Sequence, residues 1–320
     1  MLVSCYLAYP VLSRKVRLLP HVVAWRLTST ASAYTARVLT VRPPHLPNYA
    51  DPPVDEVAIA VQFAPIPNFS DAVIADYFQL VRDTYPNFQY QPRADFPIES
   101  LNDPLGGSPP VINIINPFTG STGGPQTAKR TWLVSNDEVR LIQLQDNWFA
   151  CNWRRKLSAY PQFETIFNEF RTRYEQFRGL LASIDTAAPQ IFQVEVTYTN
   201  WITDMVITEF LKPAASARIE RPSFSDPPEQ QYWAASYLVR ADNVPVGRLR
   251  VNGNNAMRFQ PGQSPNGVVF QLSFRAPTPP GVTEDAVFSL MQLGRESIVN
   301  AFTDLTTETA HTRWGRIDAR

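Results

Sequence analysis

The chain has 320 residues, enough for one large domain or two ordinary ones. Basic and acidic residues number 29 each, but residues 1–50 hold six basic residues and no acid, which leaves 23 basic against 29 acidic residues in the remainder. A mildly acidic body disfavours nucleic-acid binding, which needs an excess of Lys and Arg on one face. No run reaches the roughly 18 apolar residues that a membrane helix needs, so we predict no membrane partner.

Residues 1–50 differ from the rest of the chain and allow three interpretations. The basic, acid-poor composition and the small residues Ala31, Ser32 and Ala33 are typical of a targeting peptide. A functional basic arm is the second interpretation. We favour the third, in which residues 1–45 are a disordered leader or arise from a start site set too early.

The first ordered elements lie between Asp51 and Pro86. Alternating Val57, Ile59, Val61 and Phe63 predict a strand, and a helix capped at Ser70 or Asp71 follows. Residues 86–128 are rich in Pro, Gly, Ser and Asn and predict a long loop that is either mobile or functional. Three short strands, 131–135, 139–145 and 148–155, then form an antiparallel meander with tight turns.

The clearest pattern in the sequence is the long helix and strand between Pro161 and Ile202. Apolar residues spaced three and four apart, from Phe163 to Ile184, share one helical face. After Pro189 the period becomes two, so that Phe192 to Ile202 alternate with polar residues as in a half-buried strand.

The second half repeats the order of meander and helix. Strands are predicted at 232–240, 246–251 and 268–275, with turns at Asn252–Asn255 and at Pro261-Gly262. A long helix opens near Thr283, and a short helix ends at Trp314-Gly315. We therefore predict an α+β fold of two antiparallel curved sheets, each packed by a long amphipathic helix, with a weak two-fold duplication. Residues 50–202 would form the first half, and residues 229–320 the second half, packed on the first.

Groups that most catalytic sites require are scarce. After residue 50 the chain has one histidine, His311, and one cysteine, Cys151. Neither a Ser-His-Asp site nor a zinc site can be assembled from such a set by spacing alone. Two cysteines in all are no disulfide framework, which fits a reducing compartment. We interpret Cys151 as a buried core residue and His311 as a helix-end residue, and we predict no catalytic residue, metal or cofactor.

Aromatic and arginine residues are the best candidates for partner binding, because such side chains anchor most interfaces. The candidates are Trp153, Arg155, Trp201 and Trp314. Trp201 lies on the otherwise polar face of its strand, where it either recognises a partner or packs under the 203–228 connection. Asn200 falls on the apolar face, so it needs hydrogen-bond partners if buried, unless it only closes a turn.

Five stretches of the chain are distinctive in combination: Asp51–Phe63, Ile142–Arg154, Tyr160-Pro161 with the Phe-rich helix, Val196–Asn200, and Phe302–Arg316. Together they resemble a sporadically distributed family of bacterial proteins with no established activity. The resemblance covers about residues 50–320 and implies a bacterial cytoplasmic protein. The patchy occurrence of the family suggests mobile genes in defence or toxin–antitoxin settings.

From these observations we predict a non-catalytic binding protein with an unknown protein or small-molecule partner. The alternative is an enzyme that acts on a phosphate-containing substrate through a site of Arg, Asn and carboxylate side chains. A deep polar pocket that gathers several ionisable groups would favour the alternative.

Overall fold

The computed structural model describes residues 42–95, 97–103, 129–156, 158–216, 231–258 and 266–317. In chain order its elements are β1 (Asn48–Tyr49), β2 (Val54–Phe63), α1 (Asp71–Val81), β3 (Asn87–Pro92), β4 (Lys129–Val134), β5 (Arg140–Gln145), β6 (Trp148–Arg154), α2 (Phe163–Ser183), β7 (Ile191–Ile202), α3 (Ile207–Phe210), α4 (Lys212–Ser216), β8 (Tyr232–Ala241), β9 (Val244–Met257), β10 (Asn266–Pro277), α5 (Glu284–Leu305), α6 (Glu308–Arg313) and β11 (Arg316–Ile317).

Nine of the strands form one antiparallel sheet in the order β3-β4-β5-β6-β2-β7-β10-β9-β8, and β1 and β11 form a separate two-stranded sheet. The α+β class with two antiparallel sheets is therefore confirmed. The division between the sheets differs from the prediction, because both predicted meanders belong to the large sheet. The meanders join because β2 pairs directly with β7. In this pairing Val57 faces Tyr198, and Ile59 faces Val196.

The elements with the strongest periodicity are confirmed. Helix α2 begins two residues after Pro161, and the turn after α6 places Gly315 at φ +63°, the left-handed conformation that glycine adopts without strain. Helix α5 begins after Thr283, whose side chain accepts a hydrogen bond from the Ala286 N–H.

The two long helices pack on the same face of the large sheet, which we call the core face. Under α2, the ring of Phe149 contacts the rings of Phe170, Tyr174 and Phe177. Under α5, the ring of Phe270 contacts Phe302. The two helices also contact each other.

The opposite face, which we call the polar face, carries amide and charged side chains such as Gln62, Gln193 and Arg248. The described residues 93–95 and 97–103 lie over it. Near one end Arg93 pairs with Asp146, and near the other Glu99 pairs with Arg248. Part of the predicted 86–128 loop is thus ordered against the sheet, and residues 104–128 lie outside the described residues.

Two local predictions are wrong. Residues 87–92 were expected in a loop but form β3, because each pairs with a residue of β4. Asn252–Asn255 were expected to turn but lie inside β9, where β8 and β10 pair with them from both sides. Hydrogen bonding to two neighbours outweighs the turn preference of a short Asn/Gly run.

Part of the predicted leader, residues 1–45, is described. Residues 1–41 lie outside the described residues, but Arg42 donates a hydrogen bond to Gln162 Oε1 at 3.3 Å, and Leu46, directly after the leader, is buried. The last residues of the predicted leader therefore contact the folded body. The division into halves at 202 and 229 stays a prediction, and residues 217–230 of the connection between them are not described. Of the helices in the described ranges, none is long and apolar enough to cross a membrane.

Candidate functional site

A cavity of about 50 Å³ lies between α5, the central strands β7 and β10, and the segment that leads into β2. Its apolar walls include Val54, Leu272 and Ile298. Polar side chains also line it: Arg42, Asn48, Tyr49, Tyr160, Tyr198 and Asn200. The cavity is partly open to solvent, so a ligand could place one end inside and leave the other outside.

Asn200 is the polar residue of the cavity that the fold explains least. It lies opposite Phe270 in the β7–β10 ladder and is only 1% exposed. Its amide nitrogen donates to the Phe270 carbonyl at 2.9 Å, whereas its Oδ1 has no hydrogen-bond partner among the described residues. Leaving a buried acceptor unpaired costs about 1–3 kcal/mol. Asn200 is therefore a buried strand residue that closes no turn, and its free acceptor belongs to a residue that lines the cavity.

Two tyrosines lie beside Asn200. Tyr198 precedes it by two positions on β7 and therefore shares its face of the strand. The Tyr198 hydroxyl is 3.0 Å from the hydroxyl of Tyr160. Burial raises the pKa of both phenols. Both therefore stay protonated near neutral pH and act as hydrogen-bond donors rather than as bases.

Two arginines lie near one end of the cavity, and one of them, Arg42, lines it. Arg42 donates to Gln162 Oε1 and to the Pro47 carbonyl, but its Nε has no partner in the described chain. Arg295 of α5 is 2% exposed and pairs with Glu164 of α2 at 3.1 Å. Burial and, second to it, the charge of Arg295 lower the pKa of Arg42. An anionic group at Arg42 would relieve this repulsion.

The backbone beside Arg42 is strained. Gln162, which accepts its hydrogen bond, has φ +72° and ψ +153°. Non-glycine residues rarely adopt such angles, and strain of this kind costs about 1–3 kcal/mol and concentrates at functional sites. The strain is a second observation that marks this end of α2.

The cavity offers hydrogen bonds and positive charge rather than reactive groups. Neither Cys151 nor His311 lines it. Burial raises the pKa of the Cys151 thiol, so the thiol stays protonated, as expected for a core residue. His311 is buried in the last turn of α6 and bonds to Thr306 through Nε2 at 2.9 Å. Within the described ranges, no group of three or more His, Cys, Asp or Glu residues could hold a metal ion.

The four residues predicted to bind a partner lie in different environments. Trp153 is 4% exposed and packs edge-on against Tyr160, while Trp314 is 5% exposed and packs against Phe302. Tyr160 and Phe302 line the cavity, so each tryptophan packs against a ring of the cavity wall.

The other two predicted residues are half-buried. Arg155 donates to the Pro52 carbonyl at 2.9 Å and pairs with Asp51. Trp201 lies on the polar face, and the guanidinium of Arg258 sits 5.1 Å from its ring centre. A role in partner binding for any of the four stays a prediction.

Sequence reasoning identified Asn200 but missed the arginines and the tyrosine pair. One signal was available for Arg295. It follows Met291 by four positions and precedes Ile298 by three, so it lies on the apolar stripe of α5. A charge at such a position indicates either a buried pair or a ligand.

The comparisons with known proteins add no family to this geometry. No protein-family model matches the chain, and no curated protein matches it either.

Proposed function

We propose that the protein is a non-catalytic binding protein whose ligand is a small organic acid with a hydroxyl or amide hydrogen-bond donor. The observation that carries the proposal is the unpaired Oδ1 of Asn200, buried beside a cavity. An acceptor kept there at a cost to stability is best explained by a donor that arrives with the ligand.

The acidic group of the ligand follows from Arg42. Its Nε–H is buried and without a described partner, and it lies in the field of a second arginine. Charge-assisted hydrogen bonds to arginine are roughly twice as strong as neutral ones. A carboxylate at this end of the cavity would pair the nitrogen and offset the charge.

The size of the ligand follows from the volume. An apolar cavity of about 150 Å³ holds a benzene molecule, so the roughly 50 Å³ found here admits a much smaller group. The tyrosines beside Asn200 stay protonated near neutral pH, so they can hydrogen-bond a ligand but do not supply a general base. The cytoplasmic location and the defence setting are hypotheses that rest on the family resemblance alone.

The test is thermal unfolding in the presence of three matched probes. Glycolate has both the acid and the donor, acetate lacks the donor, and glycolamide lacks the charge. Because a ligand that binds only the folded state raises its stability, we expect glycolate to raise the midpoint of unfolding more than either analogue. Asn200→Leu should abolish the difference between glycolate and acetate.

Asn200→Leu also separates a binding role from a structural one. If the side chain is retained for binding, removing the unpaired acceptor offsets the lost bond to Phe270, and the free energy of unfolding should change by less than about 1 kcal/mol. A loss well above that value would identify Asn200 as a structural residue. If glycolate, acetate and glycolamide change the unfolding midpoint of the wild-type protein equally, the proposal is wrong. Ordered water would then be the better explanation for what occupies the cavity.

We also propose that the two halves arose by duplication, with a boundary that differs from the one at residue 202. The order β2-α1-β4-β5-β6-α2 repeats as β7-α3-β8-β9-β10-α5 if β3 in the first series and α4 in the second are insertions. The repeat is supported by the sheet order, in which β2 and β7 are central and antiparallel, and each is followed outwards by the last, middle and first strand of its own meander.

A further inference from the structure

Strand β8 forms one edge of the nine-stranded sheet, and within the described part of the chain it pairs only with β9. It is ten residues long and partly solvent-exposed along most of its length, with Tyr232 49% and Tyr237 41% exposed. No charged residue occurs from Tyr232 to Val239. Natural edge strands are commonly shortened, charged or covered, because a free edge is a template for another strand. Strand β8 is long and uncharged up to Arg240, and none of the residues that the structure describes pairs with its outer edge.

The other edge of the sheet shows the contrast. Strand β3 has only six residues and ends in Pro92. The ammonium of Lys129 on the neighbouring strand stands 4.3 Å from the ring centre of Tyr90 and so places a charge at this edge. Among the described residues, the β3 edge is therefore protected and the β8 edge is open.

We infer that β8 pairs antiparallel with β8 of a second copy of this chain. Residues opposite each other in an antiparallel pair lie on the same face. A two-fold axis perpendicular to the sheet therefore passes between one residue of β8 and the same residue of the second copy. With Ala235 at that position, Trp233 faces Tyr237 of the second copy on the core face, and Tyr232 faces Leu238 on the polar face. This register pairs the large apolar side chains with one another.

An identical copy fits this edge for two reasons. The uncharged stretch presents no like charges to itself, and aromatic cross-strand pairs each contribute about 0.2–1 kcal/mol. A single strand-to-strand contact buries less surface than a standard interface. We therefore expect a weak dimer whose population rises with protein concentration. The inference does not depend on the proposed ligand.

The first test is sedimentation equilibrium over a range of concentrations. Ala234 is exposed and faces away from the core, so Ala234→Lys adds a charge at the edge that the fold itself tolerates. We expect this variant to be monomeric where the wild-type protein dimerises. The matched control is Gln89→Lys, an exposed position on β3, which should dimerise like the wild type. A wild-type protein that is monomeric throughout, or a dimer that survives Ala234→Lys, would overturn the inference.

The second test fixes the register by disulfide formation in a Cys5→Ser background, where the remaining Cys151 is buried. Opposite residues in an antiparallel pair have Cα atoms about 4.5–5.5 Å apart, within the range that a disulfide spans. Ala235→Cys should therefore yield a covalent dimer on mild oxidation. Ser236→Cys, which would face Ala234 and not itself, should cross-link much less. If Ser236→Cys cross-links as well as Ala235→Cys, the assignment of Ala235 to the two-fold axis is wrong.

Discussion

Replacing Glu99 by glutamine should lower the free energy of unfolding by about 3 kcal/mol or more. The Glu99 side chain is fully buried between Arg248 and Arg250. Its Oε1 accepts from Arg248 Nε at 2.8 Å, and its Oε2 accepts from Arg250 Nη1. Glutamine keeps the shape but removes the charge, which leaves two partly desolvated guanidinium groups without their counter-ion.

The loss should come mainly from residues 97–103 and from strand β9 beneath them. Arg248 keeps its bonds to the carbonyls of Ser100 and Asp103, so the segment is weakened rather than released. Urea denaturation gives the free energy, and amide exchange shows whether protection falls first at residues 97–103.

A matched control is available on α2. Glu175 is 57% exposed and pairs with Arg171 at 3.8 Å, and exposed ion pairs contribute about 0–1 kcal/mol. Glu175→Gln makes the same chemical change and should cost at most that amount. If Glu99→Gln and Glu175→Gln lower the free energy of unfolding by similar amounts, the buried Glu99 ion pairs stabilise the fold no more than an exposed pair does.

Much of the fold could be predicted because its signals are local. The stripe of α2 and the alternation of β7 and β10 follow from the period of apolar residues alone. The union of the two meanders could not be predicted, because it depends on β2 meeting β7 across more than 130 residues of chain. The alternation of apolar residues in β2 and in β7 would be the same if the two strands belonged to separate sheets.

The site was predictable only at Asn200, where a polar residue interrupts an apolar strand face. Arg295 interrupts the apolar stripe of α5, but its partner Glu164 could not be identified, because each is acceptable in the core only when the other helix supplies the opposite charge. Tyr160 reaches Tyr198 across a chain separation of 38 residues. Long-range pairing of this kind leaves no mark in the spacing of either residue.

The close approach of α5 to the sheet gives the second prediction. The Phe274 side chain lies between two glycines, Gly247 on β9 and Gly294 on α5. A Cβ atom added at Gly294 would lie 2.9 Å from Phe274 Cγ, and one added at Gly247 would lie 2.5 Å from its Cζ. Real Cβ atoms do not come so close to a carbon, so the helix or the ring would have to move.

Overpacking should therefore cost the Gly294→Ala variant about 1–3 kcal/mol of its free energy of unfolding. This loss opposes the gain of about 1 kcal/mol that alanine normally gives in a helix interior. Gly179→Ala is the matched control, since Gly179 lies in α2 with open space around it. That variant should be more stable than the wild type, and both changes can be measured by urea denaturation.

A double variant tests whether the Phe274 ring is the cause. Phe274→Leu removes part of the ring that would meet the new methyl group, so its own cavity and the overpacking at residue 294 should partly cancel. We expect Gly294→Ala and Phe274→Leu together to cost less than the sum of the single changes, by about 1 kcal/mol or more. Strict additivity, or a Gly294→Ala variant as stable as Gly179→Ala, would show that α5 lies farther from β10 than the structure places it. The core face would then tolerate side chains at residue 294, and the glycine would need another explanation.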